Sequence, residues 1–138
     1  LDVGLALHRA ANSLLYLDTN FDGTPDSTVV FGLPTDIALA GDVNGDGISD
    51  LVLFRNGVWF ASTHQAKLVD ATFNFGGPGD IPLLGDVDGD GIADLIVFRA
   101  GVWYVSTQRN SVADKVFRFG QAGEGLFAAP VVLKVVRF

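Results

Sequence analysis

GDVDGDGIAD, residues 85 to 94, runs directly into LIVFRAGVWY, residues 95 to 104. The first stretch puts Asp86, Asp88, Asp90 and Asp94 at positions 1, 3, 5 and 9 of one short loop, with Gly91 at position 6. A hard cation of calcium's size takes about six to eight oxygens, so carboxylates at alternate positions, the Ile92 carbonyl at position 7 and a later carboxylate can wrap it. Gly91 permits the sharp bend between them. The same pattern stands 44 residues earlier in GDVNGDGISD, where Asp42, Asn44, Asp46, Gly47, Ile48 and Asp50 occupy the corresponding places. A solvated turn is the ordinary reading of any Asp- and Gly-rich stretch, but two matching copies with four or five oxygen ligands each argue against it.

These loops are not EF-hands. An EF-hand needs a bidentate Glu at its last loop position, where this chain has Leu53 and Val97. Nor does a helix follow. LVLF at 51 to 54 and LIVF at 95 to 98 are short apolar, β-branched runs that read as buried strands, so each ion would sit where the chain enters a sheet.

A chain of 138 residues suffices for one domain with a sizeable core. Seventeen Gly and eleven Phe, with no Cys and no Met, fit many short strands joined by tight turns. The net charge of −7 argues against a nucleic-acid partner, which requires a basic surface. Ten of the sixteen acids lie in three Asp-rich loops; three divalent ions carry six positive charges and would move −7 to −1. The acidity thus reads as demand for metal. Without Cys there are no disulfide staples, and ion loops can serve that purpose instead. Weak calcium sites fill outside cells and stay empty in the cytosol, so an extracellular setting is expected. No membrane insertion is expected either, because the longest apolar run, PVVLKVVRF at 130 to 138, is short and carries two charges.

Internal repetition is plain. Residues 41 to 84 and 85 to 128 align at an offset of 44, matching Phe54 with Phe98, Arg55 with Arg99, Trp59 with Trp103 and Phe75-Gly76 with Phe119-Gly120. The offset carries backwards, placing Phe31-Gly32 on Phe75-Gly76 and Asp36-Ile37 on Asp80-Ile81; with a two-residue insertion, LALHR at 5 to 9 matches LVLFR at 51 to 55. The chain is read as an incomplete unit at 1–40, full units at 41–84 and 85–128, and a terminal strand at 129–138. In the last full unit the four strands are IPLLGDV, ADLIVFR, GVWYVST and KVFRFG. Four short strands per repeat of this length is the pattern of a β-propeller blade.

The three Phe-Gly pairs, the GDxxGDG loops and the FR...GVW strands resemble the FG-GAP or VCBS-type repeats of bacterial surface proteins, relatives of the integrin α-subunit propeller. The resemblance covers nearly the whole chain. It implies an all-β set of about three four-stranded blades whose loops bind calcium.

The first unit departs from the pattern. It opens at its second strand, and between its third and fourth strands it carries DTNFDGTPD, with Asp18, Asn20, Asp22, Thr24 and Asp26 at ligand positions 1, 3, 5, 7 and 9. A third calcium site is expected there. At the other end VVLKVVRF, residues 131 to 138, reads as a surplus strand without an ion loop. A surplus strand can complete the first blade, either by pairing within its own chain, although three blades are fewer than a closed propeller usually has, or in a neighbouring copy by strand addition, giving a ring or a fibre.

No catalytic constellation is found. His8 and His64 are the only histidines and neither lies at ligand spacing from the other or near a Ser/Asp set. A glycosidase needs two carboxylates flanking a sugar, but here most of the acids are committed to ions, and of the rest Asp36, Asp80 and Glu124 repeat with the unit as turn residues. Trp59 and Trp103, at equivalent strand positions, read as packing between blades. Arg55 and Arg99 are expected to tie strand ends to nearby carboxylates. The expectation is a non-enzymatic, calcium-stabilised, self-assembling structural module. The alternatives are an adhesive module for a glycan or protein ligand, and a fragment of a larger propeller-containing protein.

Overall fold

The computed structural model describes residues 5–18, 20–63 and 69–120. They form eleven strands: β1 (Leu5–Arg9), β2 (Leu14–Asp18), β3 (Ser27–Val30), β4 (Ile37–Gly41), β5 (Asp50–Arg55), β6 (Val58–Ser62), β7 (Ala71–Asn74), β8 (Ile81–Gly85), β9 (Asp94–Arg99), β10 (Val102–Ser106) and β11 (Lys115–Arg118). One 3-10 turn, Ala10–Asn12, joins β1 to β2, and no α-helix occurs among the described residues. Every pairing is antiparallel, in a three-stranded sheet β1-β2-β3 and two four-stranded sheets, β4-β5-β6-β7 and β8-β9-β10-β11. The meander order follows from the connections. Asn56-Gly57 and Ala100-Gly101 both adopt left-handed φ values (50 and 89°, 50 and 86°), the two-residue turn whose twist matches paired strands.

The 44-residue repeat appears as identical register. Ile37 faces Phe54 and Phe54 faces Trp59 in one sheet; Ile81 faces Phe98 and Phe98 faces Trp103 in the next. In both sheets the Phe and Trp rings meet edge-on with centroids 5.0 Å apart, a geometry favoured by the ring quadrupoles. β5 and β9 are buried along most of their length, in keeping with their continuous apolar runs.

The sheets stack face to face. Leu15 and Phe31 from the first meet Leu51 and Leu53 of β5. On the opposite face of β5 and β6, Val52, Phe54, Trp59 and Ala61 meet Leu95 and Val97 of β9. The outward face of the third sheet carries Ile96, Phe98, Trp103 and Val105, the repeat equivalents of that set. Trp59 is fully buried and donates its indole N–H to the Phe75 carbonyl at 2.8 Å. Trp59 therefore packs between two sheets, as its strand position predicts, whereas Trp103 joins the apolar cluster of its own sheet, with no further sheet against it among the described residues.

The Phe-Gly pairs have a steric reason. Phe31 and Phe75 are buried, and the following glycines (φ 81 and 87°) lie under the next sheet: a Cβ on Gly32 would overlap the Leu53 side chain, and one on Gly76 would stand 2.9 Å from Val97. Only a bare, left-handed residue lets successive sheets approach this closely.

The sequence expectation of an all-β chain is met, and that of four-stranded repeats is met in the second and third sheets while the first has three strands; a closed ring is not formed among the described residues. The terminal strand expected at 129–138 lies outside the described residues, as do Asp2, His64 and Glu124. Among the described residues no helix is long and apolar enough to cross a membrane.

Candidate metal centre

Each Asp-rich loop connects two antiparallel strands: 86–94 joins β8 to β9, 42–50 joins β4 to β5, and 18–26 joins β2 to β3. In the first, Asp86 accepts the amides of Gly89 (2.8 Å), Asp90 (3.1 Å) and Gly91 (3.1 Å). Asp88 accepts the Asp90 amide at 3.2 Å, and Asp90 the Ile92 amide at 2.9 Å. Asp94, at the head of β9, turns back and accepts the Val87 amide at 2.6 Å.

The lattice repeats in 42–50. Asp42 takes Gly45 (2.7 Å) and Gly47 (2.8 Å), Asn44 takes Asp46 (3.2 Å), Asp46 takes Ile48 (2.9 Å), and Asp50 reaches back to Val43 (2.8 Å). In 18–26, Asp18 takes Phe21 (2.8 Å) and Gly23 (2.9 Å), Asn20 takes Asp22 (3.1 Å), and Asp22 takes Thr24 (2.8 Å). An ionised carboxylate has about four lone-pair directions, so accepting amides leaves room for an ion on the same oxygens.

The amides of loop positions 4 and 6 can aim at position 1 only when both residues are left-handed. Gly45 and Gly89 (φ 83 and 81°) satisfy this at position 4, which the sequence reading overlooked by weighing position 6 alone; the signal was the glycine following the second ligand. In 18–26 that place is held by Phe21 at φ 62°, a conformation costing roughly 1–2 kcal/mol for a residue with a Cβ.

The three loops differ in how closely they gather their acids. Asp86, Asp88, Asp90 and Asp94 present oxygens within 4.8 Å of one another, a set that could hold a metal ion, and no other such group of acids or histidines occurs among the described residues. In 42–50 Asn44 replaces one acid, and Asp42, Asp46 and Asp50 do not close to that spacing. In 18–26 the last predicted ligand, Asp26, is exposed, whereas its counterparts Asp50 and Asp94 are 1% and 0% exposed.

The donor set fits a hard divalent cation: all side-chain donors are oxygens, with no thiolate or imidazole. The sharper sign is Asp50. Its Oδ2 accepts from Val43, while its Oδ1 is the one buried side-chain polar atom among the described residues without a hydrogen-bond partner. A buried carboxylate oxygen with no donor is costly, and a cation in the loop would satisfy it. Burial raises the Asp50 pKa from 3.8, with Asp46 and Asp42 adding repulsion and the Val43 amide opposing. Burial likewise pushes Asp94 up to about 6, against the Val87 amide and with the charges of Asp88 and Asp90. Asp88 is also raised, by desolvation first. These carboxylates are short of positive charge.

Sequence reasoning missed Arg109, from a stretch that has no ligand spacing. Its guanidinium lies 3.5 Å from Asp94 Oδ1 and 3.4 Å from the Ala93 carbonyl, too long for strong bonds but near enough to offset some of the loop's charge.

No protein-family model matches the chain, and neither a curated protein nor a solved structure is significantly similar to it. The functional reading therefore rests on the residues themselves. His8 lies in β1, away from all three loops in sequence. The cleft between the second and third sheets is lined by loop residues such as Asp42, Ser49 and Asp86.

Proposed function

We propose that the chain is a calcium-stabilised structural module that works outside the cell, built of blades of the FG-GAP or VCBS kind and joined to copies of itself. It performs no catalysis. The unpartnered, buried Oδ1 of Asp50, set in a loop whose amide hydrogen bonding recurs in two others, supports the cation-binding core of this reading. Asp42, Asn44, Asp46, Asp50 and the Ile48 carbonyl would hold one ion; Asp86, Asp88, Asp90, Asp94 and the Ile92 carbonyl a second; Asp18, Asn20, Asp22, Asp26 and the Thr24 carbonyl a third. The ion supplies charge compensation, and its binding free energy becomes folding free energy.

Self-assembly is supported by the first sheet. β1 pairs only with β2 among the described residues, while β5 and β9 are each flanked on both sides. That edge of β1, unpaired among the described residues, is suited to a fourth strand from a neighbouring copy.

Melting in calcium and in EDTA tests the reading, with metal content and particle size measured on the same samples. At free calcium of about 100 times Kd, each occupied site adds roughly 2.7 kcal/mol, so the melt should rise by several degrees. A melt indifferent to EDTA, with no bound metal, refutes the ion role; a strict monomer at high concentration refutes the assembly role.

A further inference from the structure

The loops 42–50 and 86–94 touch. The Ala93 amide donates to the main-chain carbonyl of Asp42 at 2.7 Å, so the residue just before the buried ligand Asp94 holds the residue that opens the other loop. Beside this bond the Ile92 side chain packs on the bare backbone of Gly45, its carbons 3.1 and 3.2 Å from where a Cβ would stand. A Cβ on Gly41 would likewise meet Leu84 at 3.1 Å and Ala93 at 3.4 Å. The two loops form opposite walls of one cleft of about 280 Å³, Asp42, Gly47 and Ser49 facing Asp86, Gly91 and Ala93. Loop 18–26 is set apart: among the described residues no main-chain hydrogen bond outside the strands joins it to either of the other two loops.

We propose that loops 42–50 and 86–94 take up their cations as a coupled pair, each filled loop raising the affinity of the other, while loop 18–26 binds independently. The proposal rests on the cation-binding reading of these loops. Its physical basis is shared ordering. An ion in 86–94 that takes the Ile92 carbonyl and Asp94 immobilises the residues on both sides of Ala93. The Ala93 amide and the Ile92 side chain are then fixed against Asp42 and Gly45, whose amide contacts shape the other loop. Part of the ordering cost of the second site is met by filling the first, and linkage makes the effect reciprocal.

The test is a calcium titration of the full chain followed by NMR at the amides of Gly47, Gly91 and Gly23, one reporter per loop. Disabling 86–94 with Asp90→Ala is expected to weaken calcium binding reported by Gly47 about tenfold, within the usual range of such couplings. Asp46→Ala should weaken the Gly91 response similarly, and Asp22→Ala should change neither. Ile92→Ala keeps every oxygen ligand yet removes the packing on Gly45, and should reduce the mutual effect; Ile92→Val should restore most of it. Should an Asp variant not fold, the parent chain decides: steep, coincident Gly47 and Gly91 transitions support coupling, and separate simple ones overturn it. Ions bound with affinities indifferent to the other loop overturn the coupling and leave the cation reading standing. An absence of calcium response at every reporter overturns both.

Discussion

Arg99, at the end of β9, closes on Asp80, just before β8, through two bonds of 2.7 and 2.6 Å. The carboxylate also accepts the Gly77 amide at 2.8 Å, so one buried acid ties a turn to the neighbouring strand. The arrangement recurs 44 residues earlier, with Arg55 on Asp36 at 2.6 and 2.7 Å and the Leu33 amide at 2.8 Å.

This pair sets a pH dependence. The Arg99 guanidinium holds the Asp80 carboxyl below the ordinary 3.8, the Gly77 amide helping and burial opposing. A carboxyl depressed in the fold contributes stability that is complete above its unfolded pKa and disappears as pH falls through the folded one. In acid titrations of unfolding free energy, the parent should lose stability below about pH 4, and Asp80→Asn should start lower and lose less over that window. Superimposable acid limbs would show that the pair does not contribute.

Arg55 is the more enclosed of the two cations, its side chain 35% exposed against 53% for Arg99. Removing either strands a buried acid, but solvent reaches the Arg99 pair more easily and dilutes its worth. Urea unfolding should therefore place Arg55→Ala below Arg99→Ala, with a loss of roughly 1–3 kcal/mol for the former. The reverse order would mean that enclosure does not govern these pairs.

Asp50→Asn separates a ligand from a structural acid. With calcium removed, the variant should match or exceed the parent's stability to within about 1 kcal/mol, because burial disfavours the charge while an amide oxygen can still accept from Val43. With calcium present the order should invert, since the loop has lost its buried anionic ligand. Melts in EDTA and in calcium read both halves; a variant as responsive to calcium as the parent removes Asp50 from the site.

Gly32→Ala and Gly23→Ala compare two left-handed glycines, φ 81 and 85°. At Gly23 a Cβ meets nothing, so only the conformational penalty of roughly 1 kcal/mol applies. At Gly32 it overlaps Leu53 and crowds Asp36, adding about 1–3 kcal/mol of overpacking. Chemical denaturation should show Gly32→Ala as much the worse of the two; equal losses would mean that the sheets yield at this contact.

Much of this molecule is legible in the linear chain because its signals are local. Apolar β-branched runs such as LVLF and LIVF, cut by Asn-Gly, Ala-Gly and Asp-Gly turns, specify short strands without reference to anything distant. Loop ligands at alternate positions are likewise a property of nine successive residues. Repetition then turned single motifs into a frame, and Arg55 and Arg99 could be expected at strand ends near carboxylates.

What the chain could not declare is which surfaces meet. Asp36 and Asp80 read as turn residues, and only the pairing of β4 with β5 and β8 with β9 brings them to guanidiniums 19 residues away. Phe31, Phe75 and Phe119 stand in the same motif, yet the first two are 3% and 6% exposed and the third 73%, because a further sheet packs beside the first two and none does so beside Phe119 among the described residues. Burial of Asp50 and the bond from Ala93 to Asp42 are of the same kind. Local composition sets what each strand and loop can become, but desolvation and contact depend on the neighbouring sheet. The stacking of sheets therefore decided which of three similar loops holds an unpartnered buried oxygen and which two of them touch.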